Sequence, residues 1–134
     1  MNRTDLQQLA ETRLREAGVL LREGEWSGAY YLCGYAVECG LKACVARQVR
    51  EYDFPDKKLA EAVHTHELVT LRSLAGLSEE VEKLAPVLQA NWLLAKDWRE
   101  TERYELKSEI EAKGLYEAVS DQSNGVLQWL RNHW

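Results

Sequence analysis

Four polar side chains recur at steps of four, three and four residues inside an apolar stretch: Tyr31, Tyr35, Glu38 and Lys42. On a helix this spacing places all four on one face, with the carboxylate one turn from the ammonium group. A charged pair flanked by phenols in a buried helix is typical of a protein interface or a ligand cleft. The alternative is an ordinary Glu-Lys pair on an exposed helix surface, which stabilises little.

Cations alternate with aromatic side chains further along the chain. The residues concerned are Trp92, Lys96, Trp98, Arg99, Arg103 and Tyr104. Trp92, Lys96 and the two arginines keep the same steps of four, three and four, which predicts one face of a fourth helix. Guanidinium and aromatic groups together neutralise phosphates and stack on bases, as binding of nucleotides or single strands requires. The alternative is a solvated basic face above core tryptophans.

The histidines give a weaker indication of chemistry. His64 and His66 are separated by one residue, so on a helix they point about 200° apart and do not ligate one metal ion. His66 lies near a predicted helix start. There it either bonds to the loop or a carboxylate in a structural role, or acts as a general acid and base. We expect no metal ion.

Sequence motifs of known catalytic sites are absent from the chain. It contains no Ser-His-Asp order, Gly-rich phosphate loop, HExxH or paired-carboxylate motif, and we expect no cofactor. Cys33, Cys39 and Cys44 fall in one predicted helix, at spacings unlike CxxC or a zinc finger. We therefore interpret them as buried, reduced thiols.

Helical periodicity dominates the chain and defines the elements that must position these residues. The pattern predicts a first helix capped by Thr4 or Asp5 and ending near Gly24. It then predicts a buried central helix over 26–49, a loop containing Phe54-Pro55 over 50–63, and a short helix over 65–76 that ends at Gly76. A fourth helix over 78–102, with a possible kink at Pro86, is followed by a long loop over 101–113 and by a final helical region over 114–134 that is broken near residues 121–125.

Length and composition are typical of one compact domain covering residues 1–134. The chain is 46% hydrophobic and has no linker-like or low-complexity segment. Helical runs without strands predict an all-α, antiparallel, up-and-down bundle of four to five helices. The net charge of −5 argues against a surface that binds phosphates everywhere. No apolar run spans a bilayer, and we expect a cytoplasmic protein without membrane contact.

The stretch Gly-Ala-Tyr-Tyr-Leu-Cys-Gly-Tyr-Ala-Val-Glu-Cys-Gly-Leu-Lys-Ala at 28–43 resembles the signature helix of HEPN domains. Similar features follow at Phe54-Pro55, at His-Thr-His-Glu-Leu (64–68), at 91–104 and at the ending 125–134. The resemblance implies an up-and-down bundle, homodimerisation and a role in nucleotide or RNA biology. It also implies a possible partnership with a minimal nucleotidyltransferase in a toxin-antitoxin module.

The resemblance further implies a site used by many HEPN ribonucleases, an Arg followed by a His after four to six residues. Neither Arg99 nor Arg103 has such a His, and Arg131 and His133 have one residue between them. We therefore expect a non-catalytic, dimeric module that binds a nucleotide, RNA or a nucleotidyltransferase. The alternatives are a metal-independent ribonuclease using His66, and a dimeric scaffold without a ligand. The candidate binding residues are Tyr31, Tyr35, Glu38, Lys42, His66, Lys96, Trp98, Arg99, Arg103 and Tyr104.

Overall fold

The computed structural model describes residues 1–49, 53–54 and 56–134, and this part of the chain is all-helical, as predicted. Eight α-helices and one 3₁₀ helix, between α6 and α7, are found in these ranges, where the prediction had four to five longer helices. The α-helices are α1 (Arg3–Arg22), α2 (Trp26–Ala46), α3 (Lys57–Ala62), α4 (Leu68–Leu74), α5 (Ser78–Lys83), α6 (Pro86–Ala95), α7 (Glu109–Ser120) and α8 (Val126–Arg131), and the 3₁₀ helix is Glu100–Tyr104.

The helix pair α1 and α2 forms the largest helix-helix contact of the fold. The N-cap of α1 is Asn2, two residues before the nearer predicted cap, because Asn2 accepts from the backbone of Asp5 while the Asp5 carboxylate accepts from the backbone of Asn2. This reciprocal capping satisfies two backbone donors that a helix start leaves open. Gly24 ends the turn after α1 with a φ of 77°, a backbone conformation that favours glycine.

Helix α2 is the central, most buried helix, as its apolar composition predicts. It packs against α1, α4, α7, α8 and the 3₁₀ helix. Two glycines make this possible by letting neighbouring side chains approach the backbone. Gly34 lies under the indole of Trp98, and Gly40 faces Leu127 and Leu130 of α8.

The prediction of one helix over residues 78–102 is wrong. α5 ends at Lys83, Leu84 and Ala85 are extended, and Pro86 begins α6. A proline disfavours helical geometry in the residue before it and fits the first position of a helix, so it separates two helices here instead of kinking one. α6 ends at Ala95, and the 3₁₀ helix follows only after Arg99.

The predicted loop over residues 101–113 is only partly correct. Residues 105–108 are not helical, but the 3₁₀ helix ends inside the predicted loop, at Tyr104, and α7 begins at Glu109. Ser108 caps α7 by a reciprocal pair of bonds with Glu111, a Ser-x-x-Glu pattern that the polar composition of the segment obscured. The predicted break before α8 is confirmed, since residues 121–125 are not helical.

The prediction for residues 50–63 is only partly correct. Lys57–Ala62 forms α3, with Asp56 as its N-cap. Residues 50–52 and Pro55 of the predicted turn lie outside the described residues. The short helix α4 lies within the predicted range, and Gly76 follows it with a φ of 74°, which confirms the predicted terminator.

Candidate functional site

A buried carboxylate lies at the centre of the polar face of α2. Glu38 is 2% exposed, and its two oxygens lie 2.8 Å from Nδ1 of His66 and 3.5 Å from Nζ of Lys42. Burying a charge is costly unless it is paired and hydrogen-bonded, and both conditions are met here. Glu38 and Lys42 therefore form a buried polar network with a third member from the loop before α4, and not an exposed surface pair.

His66 bridges this buried network and solvent. Its side chain is 44% exposed, while Nδ1 faces the carboxylate of Glu38. In the tautomer with the proton on Nδ1, the imidazole donates to Glu38 and keeps the lone pair of Nε2 for another group. A histidine oriented by a buried carboxylate is an arrangement that serves either ligand binding or proton transfer.

Three aromatic rings pack together one to two turns before Glu38, toward the N-terminal end of α2. The ring centroids of Tyr31 and Tyr35 are 6.0 Å apart, and that of Trp98 lies 5.8 Å from Tyr31 and 6.4 Å from Tyr35. Trp98 is buried, whereas both tyrosines are partly exposed. Burial is the main cause that raises the pKa of Tyr35. The cluster therefore offers two phenol rings at the surface above a fixed indole.

Arg103 joins the aromatic cluster from the 3₁₀ helix. Its guanidinium carbon lies 4.8 Å from the ring centroid of Tyr104, a side chain that is 77% exposed. The phenol group of Tyr104, and after it that of Tyr31, raises the pKa of Arg103. Within the described part of the chain, Arg103 has no carboxylate partner at ion-pair distance, so its charge is available to an anion.

The prediction of one helix face formed by Trp92, Lys96, Arg99 and Arg103 is wrong, because these four residues do not lie on one helix. Lys96 at the end of α6 pairs with Asp97 at 2.9 Å, and Arg99 pairs with Glu67 at 2.9 Å. The bond to Arg99 also lowers the pKa of Glu67. Trp92 faces the core beside Trp129 and does not contribute to a surface. Of these four residues, Arg103 lies over the exposed ring of Tyr104, and Arg99 lies beside the segment of His66, whereas Trp98 from the same stretch belongs to the aromatic cluster.

Sequence reasoning missed Lys107, which fastens the 3₁₀ helix to the start of α2. Its ammonium group makes three ion pairs and lies over one phenol ring, and its backbone N–H donates to a serine hydroxyl. The partners are Glu102 at 2.7 Å, Glu105 at 3.2 Å, Glu111 at 3.7 Å, the ring of Tyr30 at 4.6 Å and Oγ of Ser27 at 2.8 Å. The alternation of Glu and Lys in this segment was the only signal. Lys107 thereby fixes the position of Arg103.

The three thiols take no part in this site. Cys33, Cys39 and Cys44 are buried, as predicted, and burial raises the pKa of Cys39 to about 11 and that of Cys44 to about 12. Such thiols stay protonated and unreactive near neutral pH. In the part of the chain that the structure describes, no group of three His, Cys, Asp or Glu side chains is placed to hold a metal ion.

The described helices include none that is both long and apolar enough to cross a membrane. Comparisons of the chain with protein-family models, with curated proteins and with solved structures found no match in any of the three. The function proposed for this chain is therefore argued from its own residues: a buried Glu38 that orients His66, and an aromatic cluster that borders an unpaired Arg103.

Proposed function

We propose that the chain binds a nucleotide or a short single strand of RNA at the face formed by Tyr31, Tyr35, Arg103 and Tyr104. The observation that carries the proposal is the guanidinium group of Arg103 over the exposed ring of Tyr104, at 4.8 Å, without a carboxylate to neutralise it among the described residues. Guanidinium groups bind phosphate through charge-assisted hydrogen bonds, and adjacent phenol rings stack on bases.

The paired cations around this face limit the size of the ligand. Lys42, Lys96 and Arg99 each have a carboxylate within 3.5 Å or less, so they add little net positive potential. A protein that follows a long phosphate backbone needs many free cations and depends steeply on salt. One free arginine beside aromatic rings instead favours one or two phosphates with attached bases.

Fluorescence anisotropy with a labelled RNA pentamer and with a labelled nucleotide tests this proposal. We expect Arg103→Ala to weaken binding about tenfold, as loss of a charged hydrogen bond would. The slope of the logarithm of the binding constant against the logarithm of the salt concentration should also decrease in magnitude by about 1, as expected for the loss of one phosphate contact. The matched control is Arg22→Ala, an exposed arginine at the end of α1, which should change binding less than about twofold. Equal loss in both variants, or no binding by the wild type, would refute the proposal.

A second function, RNA cleavage, is favoured by the 2.8 Å contact between Glu38 and His66. With Nδ1 donating to Glu38, Nε2 accepts the proton of a ribose 2′-hydroxyl, whose oxygen attacks the adjacent phosphorus. The new 2′-O–P bond forms as the P–O5′ bond breaks, and the 5′-oxygen leaves with a proton taken from water. Arg103 would stabilise the charge that develops on the phosphate.

Incubation of the purified protein with end-labelled RNA separates cleavage from binding. If cleavage occurs through His66, then His66→Ala abolishes it while RNA binding persists. Glu38→Gln lowers the rate, because the amide no longer stabilises the imidazolium. Intact RNA after incubation with the wild type leaves binding as the function, and cleavage by His66→Ala at the wild-type rate refutes cleavage through His66.

The resemblance to HEPN domains supports further parts of this proposal. We propose, on the strength of residues 28–43, that the chain belongs to that family and is a cytoplasmic homodimer that pairs with a minimal nucleotidyltransferase in a toxin-antitoxin-like system. Val87, Leu93 and Leu94 support the homodimer, because they expose more than half of their surface on α6.

Light scattering tests the homodimer and should give twice the 15.4 kDa of the chain. Leu94→Glu should halve the measured mass, whereas Val19→Glu on α1 should leave it unchanged. A dimer that binds no nucleotide or RNA would support the scaffold alternative.

A further inference from the structure

A groove of about 260 Å³ opens between α1 and α2 beside the aromatic cluster. It is lined by Leu9, Arg13, Tyr31, Leu32 and Tyr35. The two leucines and both tyrosines also pack against the core, so the walls are held in place from below. The volume is below the about 300–1,000 Å³ that is usual for sites of drug-sized ligands, and it suits a single ring system better than a whole nucleotide.

The charge of Arg13 in this groove is already compensated. Both oxygens of Glu16 lie within hydrogen-bond distance of one guanidinium nitrogen of Arg13, at 2.8 and 2.6 Å. The pair therefore presents a flat guanidinium face without a net charge to attract a phosphate. Flat guanidinium groups and phenol rings both stack on planar heterocycles. The groove accordingly favours an uncharged, planar, partly apolar group over an anion.

Tyr31 belongs both to this groove and to the aromatic cluster. Its ring lines the groove and lies 5.8 Å from that of Trp98, and the 3₁₀ helix that carries Arg103 packs against α2. The phenol of Tyr31 also contributes to the raised pKa of Arg103. We propose that the groove is a base subsite, which holds one nucleobase of the bound nucleotide or RNA while the phosphate of that residue lies at Arg103. This inference rests on the proposed function, because it assigns the base of the same ligand.

Competition between an RNA pentamer and an abasic ribose-phosphate pentamer for the labelled RNA probe tests the base subsite. The wild type should prefer the RNA by about fivefold or more, since stacking of one base on an aromatic side chain has an effect of that size. Tyr35→Ala should remove most of this preference, and Tyr35→Phe, which keeps the ring, should retain it. Arg103→Ala should weaken both competitors by the same factor.

Two arginine variants on α1 keep the test decisive if Tyr35→Ala folds poorly. Arg13→Ala should reduce the preference for RNA over the abasic strand. Arg15→Ala, the same change two residues further along α1 and outside the groove, should leave it intact. If both competitors bind equally to the wild type, the base subsite is refuted while the proposed function stands. If neither binds, the proposed function and the subsite fail together.

Discussion

Gly34 shows how a missing side chain shapes the candidate site. A Cβ at this position would collide with the indole ring of Trp98, the buried base of the aromatic cluster. Because Trp98 packs directly on the backbone of α2, the rings of Tyr31 and Tyr35 have a fixed surface to rest on. The position thus joins core packing to the geometry of the proposed ligand face.

Gly34→Ala is expected to destabilise the protein by about 1–3 kcal/mol, the usual cost of forcing an extra carbon into a packed core. Denaturation by urea, followed by tryptophan fluorescence, measures this difference. Gly114→Ala on α7 is the matched control, because nothing lies within 4 Å of the added carbon. There the better helix propensity of alanine should stabilise the protein by up to about 1 kcal/mol. A stable Gly34→Ala variant would contradict the packing described here.

Glu38 determines the orientation of His66 and partners Lys42. Glu38→Ala is expected to destabilise the protein by about 1–3 kcal/mol, because it creates a small cavity and leaves two polar groups without their acceptor. Glu38→Gln should cost less, since one amide oxygen still accepts a bond. Chemical denaturation measures both values. Glu117→Ala, on the exposed side of α7, should change stability by less than about 0.5 kcal/mol. A loss in Glu38→Ala no larger than in this control would show that the network contributes nothing to stability.

At the scale of elements, Lys107 connects the 3₁₀ helix with α2 and α7. Loss of its ammonium group in Lys107→Met would remove the ion pairs to Glu102, Glu105 and Glu111 together. We expect faster hydrogen exchange at the amides of residues 100–107, because the segment would then be held by few apolar contacts. Hydrogen-exchange mass spectrometry of this peptide measures the change.

The same substitution at Lys113 provides the control for Lys107. Lys113 is exposed, and among the described residues its only ion pair is with Glu109, one turn away on α7. Its ammonium group also lies 5.8 Å from the ring centroid of Trp26, but it makes no ion pair with residues 100–107. Lys113→Met should therefore leave exchange in residues 100–107 unchanged. Equal exchange in the two variants would mean that Lys107 does not fasten the 3₁₀ helix.

How much of these elements the sequence could predict depended on the range of the interactions. The long periodic helices α1 and α2 were predictable, as was the four-three-four spacing that puts Glu38 and Lys42 on one face. Pro86 alone could have indicated the break between α5 and α6, but the helical periodicity on both sides of it favoured one continuous helix. Contacts across the chain were not readable, since nothing in local spacing shows that His66 reaches Glu38, 28 residues away, or that Trp98 lies on Gly34.

At the scale of the whole molecule, an ion pair and a hydrogen bond hold the C-terminal segment against α1. The guanidinium group of Arg131 donates to both oxygens of Glu11, at 2.6 and 2.8 Å, across 120 residues of sequence. Gln7 adds a bond from its side chain to the backbone oxygen of Trp134 at 2.8 Å. These contacts hold α8 against the helix that also forms one wall of the groove.

The ion pair between Glu11 and Arg131 should make the free energy of unfolding depend on pH. The bond to Arg131 is the main cause that lowers the pKa of Glu11 below its ordinary value of 4.5. A carboxylate with a lowered pKa in the folded state contributes stability above pH 4.5, and this contribution is lost as the pH falls through the folded value. Glu11→Gln should therefore cost about 0.5–1 kcal/mol at pH 7, because the pair is about one-third exposed.

Urea denaturation of the wild type and Glu11→Gln from pH 7 down to pH 3 measures this dependence. The difference between the two proteins should be constant above about pH 5 and should shrink as the wild-type carboxylate is protonated. Glu23→Gln, just after α1, lacks a side-chain partner among the described residues, so its difference should stay near zero throughout. An offset for Glu11→Gln that persists unchanged to pH 3 would mean that packing, and not the charge on Glu11, joins the two ends of the chain.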